Sequence, residues 1–235
     1  MSTYVLVHGA FHGGWCWKRV VPLLRETGHE VFTPTLTGLG ERVHLASPEV
    51  GLETHITDVV NVIEFEDLSD VILVGHSYSG MVIEGVADRV PERIAHVVYL
   101  DAFIPEDGQS LADYVGPGWL EWHRKRAEEA GESWRLPPRE AAYFDVTDPD
   151  DARWVDAKLV GQPIRTFEEK LKLSNPAARK IPRTYVMCTR QDDGFQKCYD
   201  LARSRGWRCR TLATGHDAMV TAPRELAELL LEAAR

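Results

Sequence analysis

Apolar positions along the chain fall into two kinds of run that alternate from end to end. One kind is short: the valine- and isoleucine-rich runs 4–7, 71–74 and 94–100, and the more mixed runs 29–33, 183–188 and 207–212. Runs apolar on both faces are expected of central strands covered by helices on each side. The other kind repeats near every 3.6 residues. Val20, Val21, Leu23 and Leu24 predict a helix over 17–27 that stops at Gly28. Ile56, Val59, Val60 and Ile63 predict one over 52–65. Further helices are expected over 77–89 and over 223–234, the latter opening on Pro223, which suits a first helical turn. Strands separated by crossover helices predict an α/β fold with a doubly wound, mostly parallel sheet of six strands.

Residues 105–178 interrupt the alternation with no convincing buried strand. The stretch holds Trp119, Trp122, Trp134 and Trp154, four of the seven tryptophans. A structureless loop of this length is improbable in a compact domain. It reads as a mostly helical cap inserted over the C-terminal edge of the sheet, within one domain spanning 1–235.

Composition narrows the partners. The net charge of −9 argues against nucleic acid and anionic membrane, both of which need a basic face. No apolar run reaches the roughly 18 residues that span a bilayer. Neither a secretory leader nor a zinc-type cysteine spacing is visible, so reduced thiols in a cytoplasm are expected, with no metal. The sequence permits a homodimer without requiring one.

The strongest local pattern is Val71-Ile72-Leu73-Val74-Gly75-His76-Ser77-Tyr78-Ser79-Gly80. A buried strand runs into a sharp turn from which a helix leaves, the setting of a nucleophile elbow. Small residues two before and two after the serine let strand and helix approach closely. Gly75 meets that need; Ser79 stands where glycine is usual, with Gly80 one residue late. Ser77 at the apex is the expected nucleophile, with Ser79 its rival.

A serine hydroxyl needs a base to take its proton. In this kind of fold the order along the chain is serine, acid, histidine. His216, between the last strand and the last helix, fits the base; His76, His96 and His123 fit less well. The acid should follow the penultimate strand, where Asp192 and Asp193 both fit. The loop His8-Gly9-Ala10-Phe11-His12-Gly13-Gly14 follows the first strand. It lacks the lysine and spacing of a phosphate loop and is placed to supply an oxyanion donor. The expected donors are the N–H groups of Ala10 and Tyr78.

These segments resemble the plant methylesterase and hydroxynitrile lyase family, which includes salicylic-acid-binding protein, and its bacterial esterase relatives. The resemblance rests on residues 4–17, Pro34 to Arg42, 71–80, Tyr99-Leu100-Asp101-Ala102-Phe103-Ile104-Pro105, Gln191-Asp192 and His216 to Met219. It implies a cofactor-free α/β-hydrolase core with a helical cap and a mostly apolar pocket. It places the acid on Asp192. The family's lyases carry threonine directly after the first histidine and lysine directly after the catalytic one. Here those positions are Gly9 and Asp217, which favours ester hydrolysis. Asp217 itself has no role in this reading.

The expected activity is hydrolysis of a small apolar or aromatic carboxylic ester through an acyl-enzyme. Phe11, Trp119, Trp122 and Met219 are the candidate substrate contacts. An amide, carbamate or lactone hydrolase with the same three residues is an alternative. So is a ligand-binding receptor on a hydrolase scaffold.

Overall fold

The computed structural model describes residues 1–190 and 194–233. Its strands are β1 (Thr3–Val7), β2 (Glu30–Phe32), β3 (Val71–His76), β4 (Ile94–Leu100), β5 (Arg135–Leu136), β6 (Gln162–Pro163), β7 (Arg183–Cys188) and β8 (Arg208–Leu212). Six form one sheet in the order β2-β1-β3-β4-β7-β8, every pairing parallel. These are the six runs expected from the hydrophobic pattern. All six residues of β3 are buried, as are four of the five in β1. The edges differ. β2 is three residues long, and β8 carries Arg208 and Arg210 toward solvent. A short edge and a charged edge both discourage pairing with other chains.

Helix Leu52–Phe65 buries Leu52, Ile56, Val59, Val60 and Ile63 and packs on helix Ser79–Arg89. Helix Pro223–Ala233 buries Leu226, Ala227 and Leu230 and packs beside helix Val21–Glu26. Burying one such aliphatic side chain contributes about 1.5–3 kcal/mol. The helix expected over 17–27 is divided: a 3-10 helix covers Gly14–Arg19, and the α-helix begins at Val21 with Pro22 in its first turn. Proline lacks the N–H that a continuous helix would use there.

Between β4 and β7 lie helices Leu111–Val115, Pro117–Glu129, Pro149–Asp156 and Arg165–Glu168. The stretch also holds one feature that the pattern missed, an antiparallel ribbon of β5 and β6, two residues each. Strands so short leave no periodicity to read.

The connectivity decides where a site can form. From β1 the chain moves outward to β2, then returns to the other side of β1 as β3. Ligand crevices in open parallel sheets form at such a reversal, outside the carboxyl ends of the strands. The loop of residues 8–14 and the turn at Ser77 leave from those two ends.

The turn after β3 demands a residue without a side chain one step later than expected. A Cβ on Gly80 would sit 1.9 Å from the carbonyl oxygen of Phe103. Ser79 is tolerated in the usual glycine position because its hydroxyl donates to the His8 carbonyl. Gly80→Ala should therefore lower stability by about 2–3 kcal/mol in urea denaturation. Gly118→Ala, where an added Cβ meets nothing within 4 Å, serves as the neutral control. Equal midpoints for the two variants would contradict the tight approach.

Candidate active site

Ser77 adopts φ 55° in the left-handed region, which a non-glycine residue occupies only when its surroundings over-determine it. They do. Its N–H donates to the Leu100 carbonyl at 3.2 Å, and its own carbonyl accepts from Gly80 and Phe103 at 3.0 and 3.2 Å. Its side chain is partly exposed. Ser79, the rival, is fully buried with its hydroxyl engaged by His8.

Strand register brings a carboxylate beside this turn. His76 pairs with Leu100, so Ser77 and Asp101 each stand one residue beyond neighbouring strand ends. Asp101 also has positive φ, 43°, and its N–H donates to the Val186 carbonyl at 2.7 Å. One carboxylate oxygen accepts from the Cys188 N–H at 3.0 Å; the other lies 2.7 Å from Nδ1 of His216. A carboxylate only accepts, so Nδ1 carries the proton and a neutral ring presents its lone pair on Nε2. The His216 ring is stacked between Phe195 and Phe144, at 5.1 and 6.2 Å between centroids. His76, beside Ser77, donates from Nε2 to the His216 carbonyl at 3.0 Å. Burial, then the neighbouring His216 and His12, push the His76 ring well below its ordinary range, so it stays neutral.

Asp192 and Asp193 lie outside the described residues. Asp101 is the carboxylate that sequence reasoning passed over. Its signal was present: it directly follows a buried strand and stands between Ser77 and His216 along the chain.

The loop after β1 is fitted to the turn. A Cβ on Gly9 would meet His76 Nδ1 at 2.7 Å and Ser77 Cβ at 3.1 Å, so a side chain at residue 9 would crowd the turn. Two consecutive peptides of this loop are held by side chains. The Gly9 carbonyl accepts from His8 Nδ1 at 2.8 Å, while His8 Nε2 accepts from the Leu36 N–H at 3.1 Å. The Ala10 carbonyl lies 2.7 Å from His12 Nδ1, and the Phe11 N–H donates to Gln162 Oε1 at 2.9 Å. Among the described residues, the Ala10 N–H is the one edge of these two peptides with no hydrogen-bond partner, and the Tyr78 N–H has none either. Tyr78 is anchored by its hydroxyl, which donates to His55 Nδ1 at 2.9 Å; His55 Nε2 in turn donates to the Thr37 carbonyl.

The candidate substrate contacts separate. Phe11, with φ 67°, is buried, and its ring lies 6.2 Å from Phe167. Phe167 also meets Tyr78 at 5.6 Å and Trp119 at 5.4 Å. Trp119 is thereby joined to the loop through a residue that no motif marked. Trp122 stands apart, 47% exposed between Arg126 and Arg139. Met219 is fully buried in helix Ala218–Thr221. A groove of about 700 Å³ lined by Glu84, Arg183, Arg205 and Trp207 includes none of the site residues. Among the described residues there is no cluster of three metal-ligating side chains, and no helix is long and apolar enough to cross a membrane.

Comparison with known proteins places this geometry among relatives. A model of the alpha/beta hydrolase family matches residues 4–229. The chain is 42% identical to the carbendazim hydrolyzing esterase of Nocardioides sp. (strain SG-4G), over 98% of each chain. It is 26% identical to salicylic acid-binding protein 2 of Nicotiana tabacum, over 98% of this chain and 96% of that one. Among solved structures it is similar to an extracellular alpha/beta-hydrolase from a Paenibacillus species. The TM-score is 0.87 and the identity 28%, with both chains covered completely.

The buried histidines carry a pH signature. Burial lowers His8 to about 3 and His55 to about 4, from an ordinary 6.5. Above 6.5 both the folded and the unfolded chain hold these rings neutral, and the contribution to stability is complete. As pH falls the unfolded chain takes up protons first, so stability drops between about 6.5 and 4, by ~1.4 kcal/mol per pH unit for each ring. His55→Gln should make that decline shallower by about one ring's share in urea denaturation between about pH 6 and pH 4.5. An unchanged slope would show that the folded His55 is not neutral.

Proposed function

Because the chain belongs to the alpha/beta hydrolase family, we propose that it is an esterase in which Ser77 is the nucleophile and His216 the base. The Ser77 hydroxyl attacks the ester carbonyl carbon while His216 Nε2 takes its proton. The carbonyl oxygen becomes an oxyanion, received by the N–H groups of Ala10 and Tyr78. His216 then protonates the departing alcohol, and the acyl group remains on Ser77. Water, deprotonated by the same nitrogen, attacks the acyl-enzyme and releases the acid.

The observation that carries this reading is the 2.7 Å contact of His216 Nδ1 with Asp101, one strand over from a serine in left-handed conformation. It supports Asp101 as the group that orients the ring and stabilises the imidazolium. Asp192 comes to the same role by chain order and by the Gln191-Asp192 resemblance alone. The likeness to a carbendazim hydrolyzing esterase supports ester hydrolysis, with carbendazim among the substrates to be tried. Phe11, Trp119 and Phe167 are the rings placed to meet a substrate. A cytoplasmic location is proposed on the absence of any disulfide among the four cysteines, although the Paenibacillus relative is extracellular. A ligand-binding role without turnover is the second reading, favoured by the likeness to a protein named for binding salicylic acid. Covalent labelling of Ser77 by a fluorophosphonate separates the two.

On a panel of methyl and aryl carboxylic esters, carbamates and carbendazim, Ser77→Ala should lose at least about 10⁴-fold in kcat. Retained turnover would remove Ser77 from the mechanism. Asp101→Asn should lose about 10³–10⁴-fold, because the amide favours the wrong tautomer of His216. If Asp101→Asn is active while Asp192→Asn is not, the orienting role belongs to Asp192.

A further inference from the structure

His12 and Asp217 form a buried pair that the reaction as written does not use. Asp217 follows the base along the chain but turns away from it. Its Oδ2 lies 3.0 Å from His12 Nε2, both side chains are buried, and its Oδ1 has no hydrogen-bond partner among the described residues. On the other side of the ring, Nδ1 lies 2.7 Å from the Ala10 carbonyl. A neutral imidazole has one N–H and can serve only one of these two acceptors. Serving both at once takes a ring with an N–H on each nitrogen, with the carboxylate as its counter-charge.

We propose that the His12–Asp217 pair positions the oxyanion hole: an imidazolium kept charged by Asp217 grips the Ala10 carbonyl and holds the loop that aims the Ala10 N–H at the reacting oxygen. This rests on the hydrolytic role of Ser77. A charged donor binds a carbonyl about twice as strongly as a neutral one. The gripped peptide is held from its other edge by Gln162 of β6, so core and insertion clamp one peptide between them. The groups facing the pair leave it undisturbed. His8 and His76 are kept neutral chiefly by burial, and burial together with Asp217 pushes the Cys16 thiol up. Trp15 stacks on the ring at 5.3 Å, and Phe144 meets it edge-on at 5.0 Å. A buried ion pair with an unsatisfied oxygen is weak support for stability. Its placement against the Ala10 carbonyl gives it a use.

The test combines ring NMR with kinetics. In ¹⁵N-histidine-labelled protein at neutral pH, His12 should show both nitrogens protonated, and Asp217→Asn should leave one. A singly protonated wild-type ring overturns the inference. Against a methyl or aryl ester, Asp217→Asn should lower kcat about 10-fold and Asp217→Ala about 100-fold, with KM little changed. The Gln162→Ala and Asp217→Ala effects should fail to multiply in the double variant, because both act on one peptide. Effects that multiply would mean that Asp217 acts through His216 or through folding, and would overturn the proposal. Fluorophosphonate labelling keeps the two readings apart. If wild-type Ser77 takes no label, the hydrolytic reading fails and the oxyanion role with it. If Ser77 labels but Asp217→Ala leaves kcat unmoved, this inference alone fails.

Discussion

The backbone of Ser77 is the constraint around which the rest is arranged. A strand that ends in a left-handed residue must reverse within one step, and the cost is of order 1–3 kcal/mol. Hydrogen bonds from the neighbouring strand end and its loop hold the turn: Leu100 receives the Ser77 N–H, and Phe103 donates back to the Ser77 carbonyl. Those bonds require the loop after β4 to run against the start of helix Ser79–Arg89, which is why residue 80 has no side chain. They also carry Asp101 to its place, since the same register sets both strand ends level.

Four histidines gather around this turn, and their partners alone tell them apart. His8 has a carbonyl on one nitrogen and an N–H on the other, which is the pattern of a neutral ring. His76 donates to a carbonyl, and its second nitrogen is buried with no hydrogen-bond partner among the described residues. His12 faces two acceptors. His216 has a carboxylate on Nδ1. One residue type thus meets four different sets of partners, and imidazole changes character with the number of acceptors it meets.

The stretch between β4 and β7 takes part in this arrangement. Gln162 receives the Phe11 N–H, the Phe11 carbonyl accepts from Val160, and Phe167 joins the rings of Phe11, Tyr78 and Trp119. The loop after β1 is therefore supported by groups more than 140 residues away along the chain.

The pattern along the chain was enough for the six strands of the main sheet, the helices over 52–65 and 223–233, and the elbow at Ser77. Each is decided by residues near one another in sequence: a central strand such as β3 is buried along its whole length, and a turn needs its small residues at fixed steps. Short-range signals also pointed to Ala10, Tyr78 and His216, because they stand in the segments that leave the ends of strands. Neither chain order nor the resemblance marked Asp101 as a carboxylate that meets His216. That contact depends on register between β3 and β4, which pairs residues as far apart along the chain as His76 and Leu100. Asp217 likewise reads as a misfit until folding carries His12 to it across 205 positions. Local order follows from local chemistry. The partners of charged and titratable groups follow from which strand ends the sheet sets side by side.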